Sequence, residues 1–482
     1  MYHFGCSKNL IDTEIAIGSF KKHNYKIVND PCKAEIIVIN TCGFIESAKE
    51  EAINTILEMA EYKKQKCKIL IVMGCLVQRY YDDLVKLLPE VDLFIKIDEY
   101  TQFWEKIDAV LKDVSGKKGR VSSKLLPIKP GTIDNIANKT RPQWQQIPLP
   151  KLDEFLDRVV TTGEKFAYLK IGEGCSNFCT YCAIPYIRGA FVSRKEEDII
   201  KEAKKLAEKG IEEIIVIAQD TTKYGVDLYG KSKLADLLHK ISNIKGIRWI
   251  RFLYSYPEGI TDELITEVKS NPKIVKYFDI PIQHISNTLL KRMNRKTSKE
   301  DIIRLLNKIR KQIPDVILRT SIIVGFPGET QKQFDELLSF IEQAEFDKLG
   351  AFMYSKEEGT PAAKMPNQIH GNTKKSRYNK LMAKQQKISY KKMQQKVGKS
   401  YETLIESMSF DNKFLIGRTI NDVPEIDGLI YIPIHSKKEM KMYVNTFVKC
   451  EIVEVNNYDY IGKITKNLGA WLLLLKVYMK GI

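Results

Sequence analysis

The sequence lacks a long hydrophobic run and any sign of a secretory signal. A helix needs about 18 apolar residues to cross a bilayer, and the longest apolar candidate, residues 470–477, is far shorter. The first residues do not combine a basic segment with the apolar segment that secretory signals carry. These absences argue against a membrane-spanning or secreted protein and predict a cytoplasmic one without membrane contact.

Acidic residues are missing from one long segment. Residues 359–401 contain eleven lysines and arginines and no aspartate or glutamate, and the whole chain has a formal charge of +17. A segment of this kind suits an anionic partner, most simply RNA or a ribonucleoprotein. A solvated, lysine-rich helix explains the same composition equally well.

The remaining composition is that of a folded protein. Hydrophobic residues make up 44% of the chain and charged residues 28%, which is ordinary globular usage. A chain this apolar buries several cores, so disorder throughout is excluded. At roughly 150 residues per domain, the 482 residues correspond to about three domains.

The first 112 residues alternate short apolar runs with helical patterns. The apolar runs lie at 35–40, 68–73 and 91–95, and the helical patterns lie at 47–62 and 76–88. This alternation predicts a parallel α/β domain over residues 1–112, with an unusually short first strand at 2–4. Residues 113–160 show no clear period and predict a linker along the surface.

A second, longer alternation follows from residue 165. Its strand candidates are 167–171, 213–218, 249–254, 277–280, 316–324 and 348–353. Six strand–helix units predict a partial (β/α)6 barrel over 161–395, and a basic helical segment at about 374–397 leads out of it. Strand patterns with turn signals then predict a small antiparallel β-barrel over 396–465. No function is predicted for the tail, 466–482.

Three cysteines with C-x3-C-x2-C spacing, Cys175, Cys179 and Cys182, follow the first strand of the predicted barrel. Three thiolates in one loop suit an iron–sulfur cluster that keeps one iron open for a small chelating molecule. Structural zinc is the alternative, but it usually takes four ligands, and none of the six histidines lies near this loop. The carboxyl end of a barrel strand is also where such barrels place their chemistry.

Three further cysteines, Cys6, Cys42 and Cys75, share one context, because each follows a predicted strand and precedes a helix. The ends of parallel strands meet at one edge of a sheet, so these thiols are expected to converge there. The alternative is three separate buried thiols. The other cysteines lack this context and are interpreted as structural: Cys32, Cys67 and Cys450.

The motif Cys175-Ser-Asn-Phe-Cys-Thr-Tyr-Cys182 resembles that of the radical S-adenosylmethionine (SAM) superfamily. The resemblance implies a [4Fe–4S] cluster whose open iron binds SAM, and whose reduction cleaves SAM to a 5′-deoxyadenosyl radical. An electron donor such as flavodoxin or ferredoxin is then implied.

The barrel motifs also match this pattern at the strand ends. Arg319 is a candidate partner for the SAM carboxylate, and the turn 325–329 for its ribose or methionine part. His284 would line the pocket or be a satisfied core histidine, and Tyr181 would stack near the adenine or pack in the core. The candidate SAM contacts are Tyr181, Gln219, Gln283, His284, Arg319, Gly325 and Glu329.

Two sets of three cysteines, followed by a terminal barrel, resemble the methylthiotransferases from Gly5 to about Ile464. This resemblance implies a second [4Fe–4S] cluster on Cys6, Cys42 and Cys75, two SAM molecules per turnover, and an OB-like TRAM domain associated with RNA or ribonucleoprotein binding. It also implies a longer first strand than this sequence offers.

The motifs Gly5-Cys-Ser-Lys-Asn-Leu and Asn40-Thr-Cys-Gly-Phe-Ile resemble the branch that modifies the β-carbon of an aspartate in ribosomal protein S-twelve of the small subunit. The branch acting on tRNA adenosine tends to show Gly-Cys-Gln-Met-Asn at the first cysteine. The acidic stretch 424–428 is also less suited to binding tRNA phosphates than to binding a basic protein surface. A tRNA enzyme and a non-catalytic iron–sulfur RNA-binding or redox protein remain the alternatives.

Overall fold

The structure, a computed structural model, describes residues 1–116, 147–434 and 442–467. Most of the predicted linker and nearly all of the tail predicted at 466–482 lie outside the described residues. The end of the predicted linker that the structure describes does not run along the surface. It forms a helix, Leu152–Asp157, whose Phe155 is 2% exposed, and the next residue, Arg158, is buried. In the described part of the chain, no helix combines the length and the apolarity needed to span a bilayer.

The N-terminal domain is a parallel α/β domain, as predicted. Its strands are β1 (Tyr2–His3), β2 (Ile36–Thr41), β3 (Ile69–Gly74) and β4 (Leu93–Ile95), and its helices are α1 (Ser7–Lys22), α2 (Glu46–Ala60), α3 (Cys75–Leu87) and α4 (Phe103–Gly116). The strands pair in parallel in the order β1-β2-β3-β4. The central strands β2 and β3 read as continuous apolar runs because hydrophobic clusters cover both faces of the sheet.

The central domain is a partial barrel of six parallel strands, which confirms the prediction. Between residues 147 and 353 the elements are α5 (Leu152–Asp157), β5 (Phe166–Lys170), β6 (Gly172–Glu173), α6 (Ile184–Arg188), β7 (Val192–Ser193), α7 (Glu196–Glu208), β8 (Glu213–Ile217), α8 (Val226–Tyr229), α9 (Leu234–Ser242), β9 (Trp249–Phe252), α10 (Asp262–Ser270), β10 (Tyr277–Asp279), α11 (Asn287–Arg292), α12 (Lys299–Gln312), β11 (Ile317–Val324), α13 (Gln331–Ala344) and β12 (Lys348–Met353). Two parallel sheets, β5-β8-β9 and β10-β11-β12, are joined by a bridge between Ile250 and Ile274. Aliphatic side chains of these strands pack against the surrounding helices in one large core.

The C-terminal domain is a closed five-stranded barrel reached through α14 (Gly371–Gln394). Its strands are β13 (Ser400–Met408), β14 (Phe414–Thr419), β15 (Ile430–Pro433), β16 (Thr446–Asn456) and β17 (Asp459–Asn467). Four neighbouring pairs are antiparallel and the pair β15–β17 is parallel. The expectation of a wholly antiparallel barrel is corrected, because strands that alternate in direction cannot close a ring with an odd number of members.

The C-terminal barrel covers the end of the central barrel where its strands begin. Arg418 donates to Glu213 at 2.7 Å, and Trp249 donates to Glu402 at 3.0 Å. Apolar residues of both barrels share one core in this interface. The opposite end, where the strands finish, is therefore left for the site.

Candidate active site

The loop that carries Cys175, Cys179 and Cys182 lies at the carboxyl end of β5. The Cys175 N–H donates to Gly189 O at 3.0 Å, and the Cys182 N–H donates to Cys179 O at 3.0 Å. Gly174 precedes the loop with φ +74°, and a Cβ at this position would lie 2.3 Å from the Ala190 carbonyl oxygen. Only glycine fits this turn, which brings the three thiols together above the barrel.

Cys179 is contacted by two side chains that the sequence did not single out. The Arg295 guanidinium donates to Cys179 Sγ at 3.7 Å, and the Tyr256 hydroxyl lies 3.7 Å from the same sulfur. Arg295 also lies over the Tyr256 ring, 4.2 Å from its centre, and donates to Pro281 O at 2.7 Å. Tyr256 lies in the tyrosine-rich segment 254–257 that follows a strand, which is a sequence signal. No motif in the neighbouring sequence identifies Arg295, which reaches the loop from another part of the chain.

The chemistry of this donor set fits an iron–sulfur cluster. Burial raises the pKa of Cys175 to about 12 and also raises that of Cys182, so these thiols become thiolates most readily when a metal binds them. Among the described residues, no three cysteine, histidine or acidic side chains converge closely enough for a single metal ion. A cubane has a different requirement, since each thiolate binds a separate iron and the sulfurs stand further apart.

Cys6, Cys42 and Cys75 lie at one edge of the N-terminal sheet, at the start of α1, after β2 and at the start of α3. A Cβ at Gly5 would lie 3.1 Å from Cys42 Sγ. Burial raises the pKa of Cys75 to about 12, the positive charge of Arg188 opposes this rise, and Cys42 and Cys6 add to it. The electrostatic coupling places the three thiols and Arg188 in one region, as the shared sequence context predicted.

A buried ionic network connects the two cysteine-bearing regions. Arg188 donates to Glu173 and to Asp12, each at 2.9 Å. Lys170 donates to the same two carboxylates, at 3.0 Å and 2.5 Å. Asp12 lies on α1 of the N-terminal domain, whereas Lys170 and Glu173 lie beside the Cys175 loop, so the network fixes one cysteine set relative to the other.

The predicted SAM contacts divide into two groups in the structure. Gln219 donates to Glu173 at 2.7 Å, and Arg319 pairs with Asp279 at 2.6 Å. Gln283 adopts φ +68° beside β11. Tyr181 is partly buried against the apolar cluster that contains Phe326. Tyr181 lies within the Cys175 loop, Gln219 and Gln283 follow the strands β8 and β10, and Arg319 is the third residue of β11.

His284 belongs to the other group and occupies the position of a satisfied core histidine. It is fully buried, its Nδ1 accepts from the Ser286 N–H at 3.0 Å, and its Nε2 lies 3.3 Å from Glu329. Glu329 also accepts from Arg377 at 2.8 Å and from the Gly325 N–H. His284, Gly325 and Glu329 therefore support the strand end from inside, and their contact with SAM stays a prediction.

The acidic stretch 424–428 and the adjacent Asp422 take part in contacts within the protein, and the interpretation of the stretch as a surface for a basic partner stays a prediction. Asp422 is buried and pairs with Lys348 at 2.7 Å, and Asp427 accepts from the Tyr277 hydroxyl at 2.9 Å. Glu425 alone is exposed among the acidic residues of this stretch. The stretch attaches the C-terminal barrel to the central domain.

The basic helix α14 has a packed face and a charged face. Leu381, Ile388 and Met393 are buried, and Lys384 and Lys391 pair with carboxylates of Glu342 and Glu345 on or just after α13. Part of the positive charge is thus neutralised within the protein. Other lysines of the helix are exposed and available to an anionic surface: Lys375, Lys380 and Lys387.

Three known family profiles match successive parts of the chain. Residues 1–96 match Uncharacterized protein family UPF0004, residues 169–341 match the Radical SAM superfamily, and residues 397–465 match the TRAM domain. The first match contains Cys6, Cys42 and Cys75, and the second contains the Cys175 loop.

Curated relatives match nearly the whole chain. The ribosomal protein uS12 methylthiotransferase RimO of Alkaliphilus oremlandii is 54% identical over 460 residues, which cover 95% of this chain and 97% of the relative. The RimO of Clostridioides difficile is 49% identical, over 96% of this chain and 98% of the relative. Among solved structures, the radical SAM methyltransferase TsrM of Kitasatospora setae covers 73% of this chain and 70% of its own, with a TM-score of 0.51 and 13% identity. That structure supports the fold alone.

Proposed function

This chain belongs to the RimO family of ribosomal protein uS12 methylthiotransferases, which are radical SAM enzymes, and from that membership we propose that it attaches a methylthio group to the β-carbon of an aspartate in uS12 (protein S-twelve of the small subunit). The observation that carries the proposal is the pair of three-cysteine sets, which one buried ionic network connects. A reaction that uses both a radical and a sulfur donor can place one on each of two such centres.

Two [4Fe–4S] clusters fit these residues. Cys175, Cys179 and Cys182 would hold the cluster whose remaining iron binds SAM, and Cys6, Cys42 and Cys75 would hold the auxiliary one. When bound, these groups supply one-electron cleavage of SAM for hydrogen abstraction, a sulfur atom, and the methyl group of a second SAM.

The protein's own residues would position these groups and exclude water. Tyr181, Gln219, Gln283 and Arg319 are the proposed SAM contacts. The C-terminal barrel closes the opposite end of the central domain, so substrate and SAM would both enter from the side of the cysteine loops. An external electron donor such as flavodoxin or ferredoxin would serve the cluster, and the TRAM domain with α14 would contact ribosomal RNA.

The proposed substrate is tested with SAM that carries a labelled methyl group. Anaerobically reconstituted protein is incubated with reductant and with either small ribosomal subunits or bulk tRNA. We expect the label in uS12, and tandem mass spectrometry should locate it on an aspartate. Label in tRNA would instead establish the adenosine-modifying alternative, and SAM binding without any turnover would favour the non-catalytic iron–sulfur protein.

Replacing Arg295 with methionine should make the radical SAM cluster harder to reduce. The guanidinium lies 3.7 Å from Cys179 Sγ, so its positive charge stabilises the reduced, more negative cluster. We expect the midpoint potential to fall by on the order of 60 mV, a tenfold change for a one-electron couple. The measurement is an EPR-monitored redox titration, with Arg295→Lys as the charge-conserving control; equal potentials in wild type and Arg295→Met would contradict the assignment.

A further inference from the structure

Lys8 presents a buried ammonium group that has no counter-ion among the described residues. It is the second residue of α1 and lies two residues after Cys6. The side chain is 5% exposed, and its Nζ lies 3.0 Å from the centre of the Tyr254 ring. The aromatic face attracts the ammonium and fixes its position, but it supplies no negative charge.

This environment is exceptional within the described part of the chain. Eight of the ten buried lysines and arginines form an ion pair with a carboxylate. The two exceptions are Arg295, which faces Cys179, and Lys8. The ten residues are Lys8, Lys49, Arg158, Lys170, Arg188, Arg194, Arg251, Arg295, Arg377 and Arg418. Buried charges are normally paired because desolvation penalises an isolated ion, so Lys8 is in place to meet a negative charge that arrives with a ligand.

The helix position supports the same conclusion. Lys8 lies in the first turn of α1, which contains no acidic residue. The amino end of a helix carries partial positive charge and disfavours a lysine there. The helix end and the ammonium are both positive, so they repel each other, and both attract an anion.

Lys8 is close in the chain to one cysteine set and contacts a residue that is close in the chain to the other. On one side it follows Cys6 by two residues. On the other side Tyr254 stands two residues before Tyr256, whose hydroxyl is 3.7 Å from Cys179 Sγ. Tyr254 is held at the end of β9 with φ +62°, and its N–H donates to Asp279 at 3.0 Å. Tyr254 thus keeps a backbone conformation that L-residues rarely adopt, and this conformation places its ring under the ammonium.

We propose that the Lys8 ammonium binds the side-chain carboxylate of the target aspartate and so makes Lys8 a determinant of substrate specificity. The assignment rests on the proposed function. The proposed reaction brings the target aspartate to the cysteine sets, so its carboxylate is the anion assigned to Lys8, and the carboxylate of a SAM molecule is the alternative that the test below separates. The β-carbon is bonded directly to this carboxylate, and holding the carboxylate therefore fixes the carbon that reacts.

The test compares binding of two forms of uS12 to the reconstituted enzyme: the natural protein and a variant with the target aspartate replaced by asparagine. Wild-type enzyme should prefer the aspartate form. In Lys8→Met, which keeps the length of the side chain without its charge, affinity for the aspartate form should fall about tenfold, equivalent to about 1.4 kcal/mol. Affinity for the asparagine form and for SAM should stay unchanged.

Four control variants keep this result interpretable. Lys21→Met removes a charge from an exposed position of the same helix and should leave the preference intact. Lys8→Arg should retain it. Tyr254→Phe, which keeps the ring, should behave as wild type, whereas Tyr254→Leu should lose the preference. Iron content and thermal midpoint establish that each variant is folded and loaded.

Two results would overturn the assignment of Lys8 alone. If Lys8→Met weakens both forms of uS12 equally, the residue has a structural role. If it weakens SAM binding and leaves the aspartate preference intact, the bound carboxylate is that of SAM. Absence of methylthio transfer from wild-type enzyme to uS12 is a separate result, which would overturn the proposed function and the assignment with it.

Discussion

Replacing Cys175, Cys179 and Cys182 together with alanine should lower the iron content from about eight to about four per chain and abolish reductive cleavage of SAM. The three thiols lie in one loop at the carboxyl end of β5 and have no substitute nearby, because no other cysteine lies in the described part of the central domain. Iron and sulfide analysis with Mössbauer spectroscopy of anaerobically reconstituted protein measures the first effect, and release of 5′-deoxyadenosine measures the second.

The matched variant replaces Cys6, Cys42 and Cys75. It should also lose about four irons, yet retain SAM cleavage and lose methylthiolation, since this set is proposed to supply sulfur. Cys32→Ala, at an exposed position away from both sets, should retain all the iron. A wild-type protein with four irons that falls to none in the first variant would mean that Cys6, Cys42 and Cys75 hold no cluster. The chain would then be identified only as a radical SAM enzyme, and its product would be unassigned.

Replacing Glu213 with glutamine should destabilise the protein by about 3–5 kcal/mol. Glu213 is fully buried at the start of β8 and pairs with Arg418 of the C-terminal barrel at 2.7 Å and with Arg251 at 2.5 Å. The neutral amide would leave two buried guanidinium groups without their shared carboxylate. Urea unfolding at neutral pH measures the loss. Glu406→Gln is the matched control, because Glu406 also contacts Arg418 at 2.8 Å but its side chain is 25% exposed, and we expect it to cost under 1 kcal/mol, as for surface pairs.

The pH dependence of this effect has a defined sign. Burial raises the pKa of Glu213, but the charges of Arg418 and Arg251 more than offset it, so the pKa lies below its ordinary value. A carboxylate of this kind contributes stability above its unfolded pKa of about 4.3 and loses it as the pH falls toward the folded value. The difference between wild type and Glu213→Gln should therefore shrink below about pH 4.3. A constant difference between pH 7 and pH 3 would show that Glu213 acts through packing instead of charge.

The sequence identified most of the fold because its signals are local. Alternating apolar runs and helical patterns are properties of neighbouring residues, and they predicted the parallel N-terminal domain, the six-stranded barrel and the terminal barrel. They did not give the parallel pair β15–β17, since strand closure depends on residues that lie far apart in the chain. The end of the presumed linker was also misjudged, because Phe155 and Arg158 are buried by contacts with other segments.

The interpretation of individual polar residues was less successful for the same reason. Asp427 was interpreted as part of a surface for a basic partner, and His284 as either a pocket residue or a satisfied core histidine. Their partners in the structure, Tyr277 and Glu329, lie 150 and 45 positions away along the chain. Composition and spacing cannot reveal such partners.

The sequence by itself determined which reactive groups are present: two sets of three cysteines, each set following strands. It also determined the class of each domain, through the periodicity of its apolar residues. The spacing of a cluster-binding loop is fixed by covalent geometry, so Cys175, Cys179 and Cys182 could be recognised without a structure. The tertiary structure decided how these groups are arranged in space. Packing of α1 against the central barrel brings Asp12 to Lys170 and Lys8 to Tyr254, across more than 150 residues of chain. Burial then gives these charges their importance, because an ion removed from water must find its counter-charge in the protein or in a ligand.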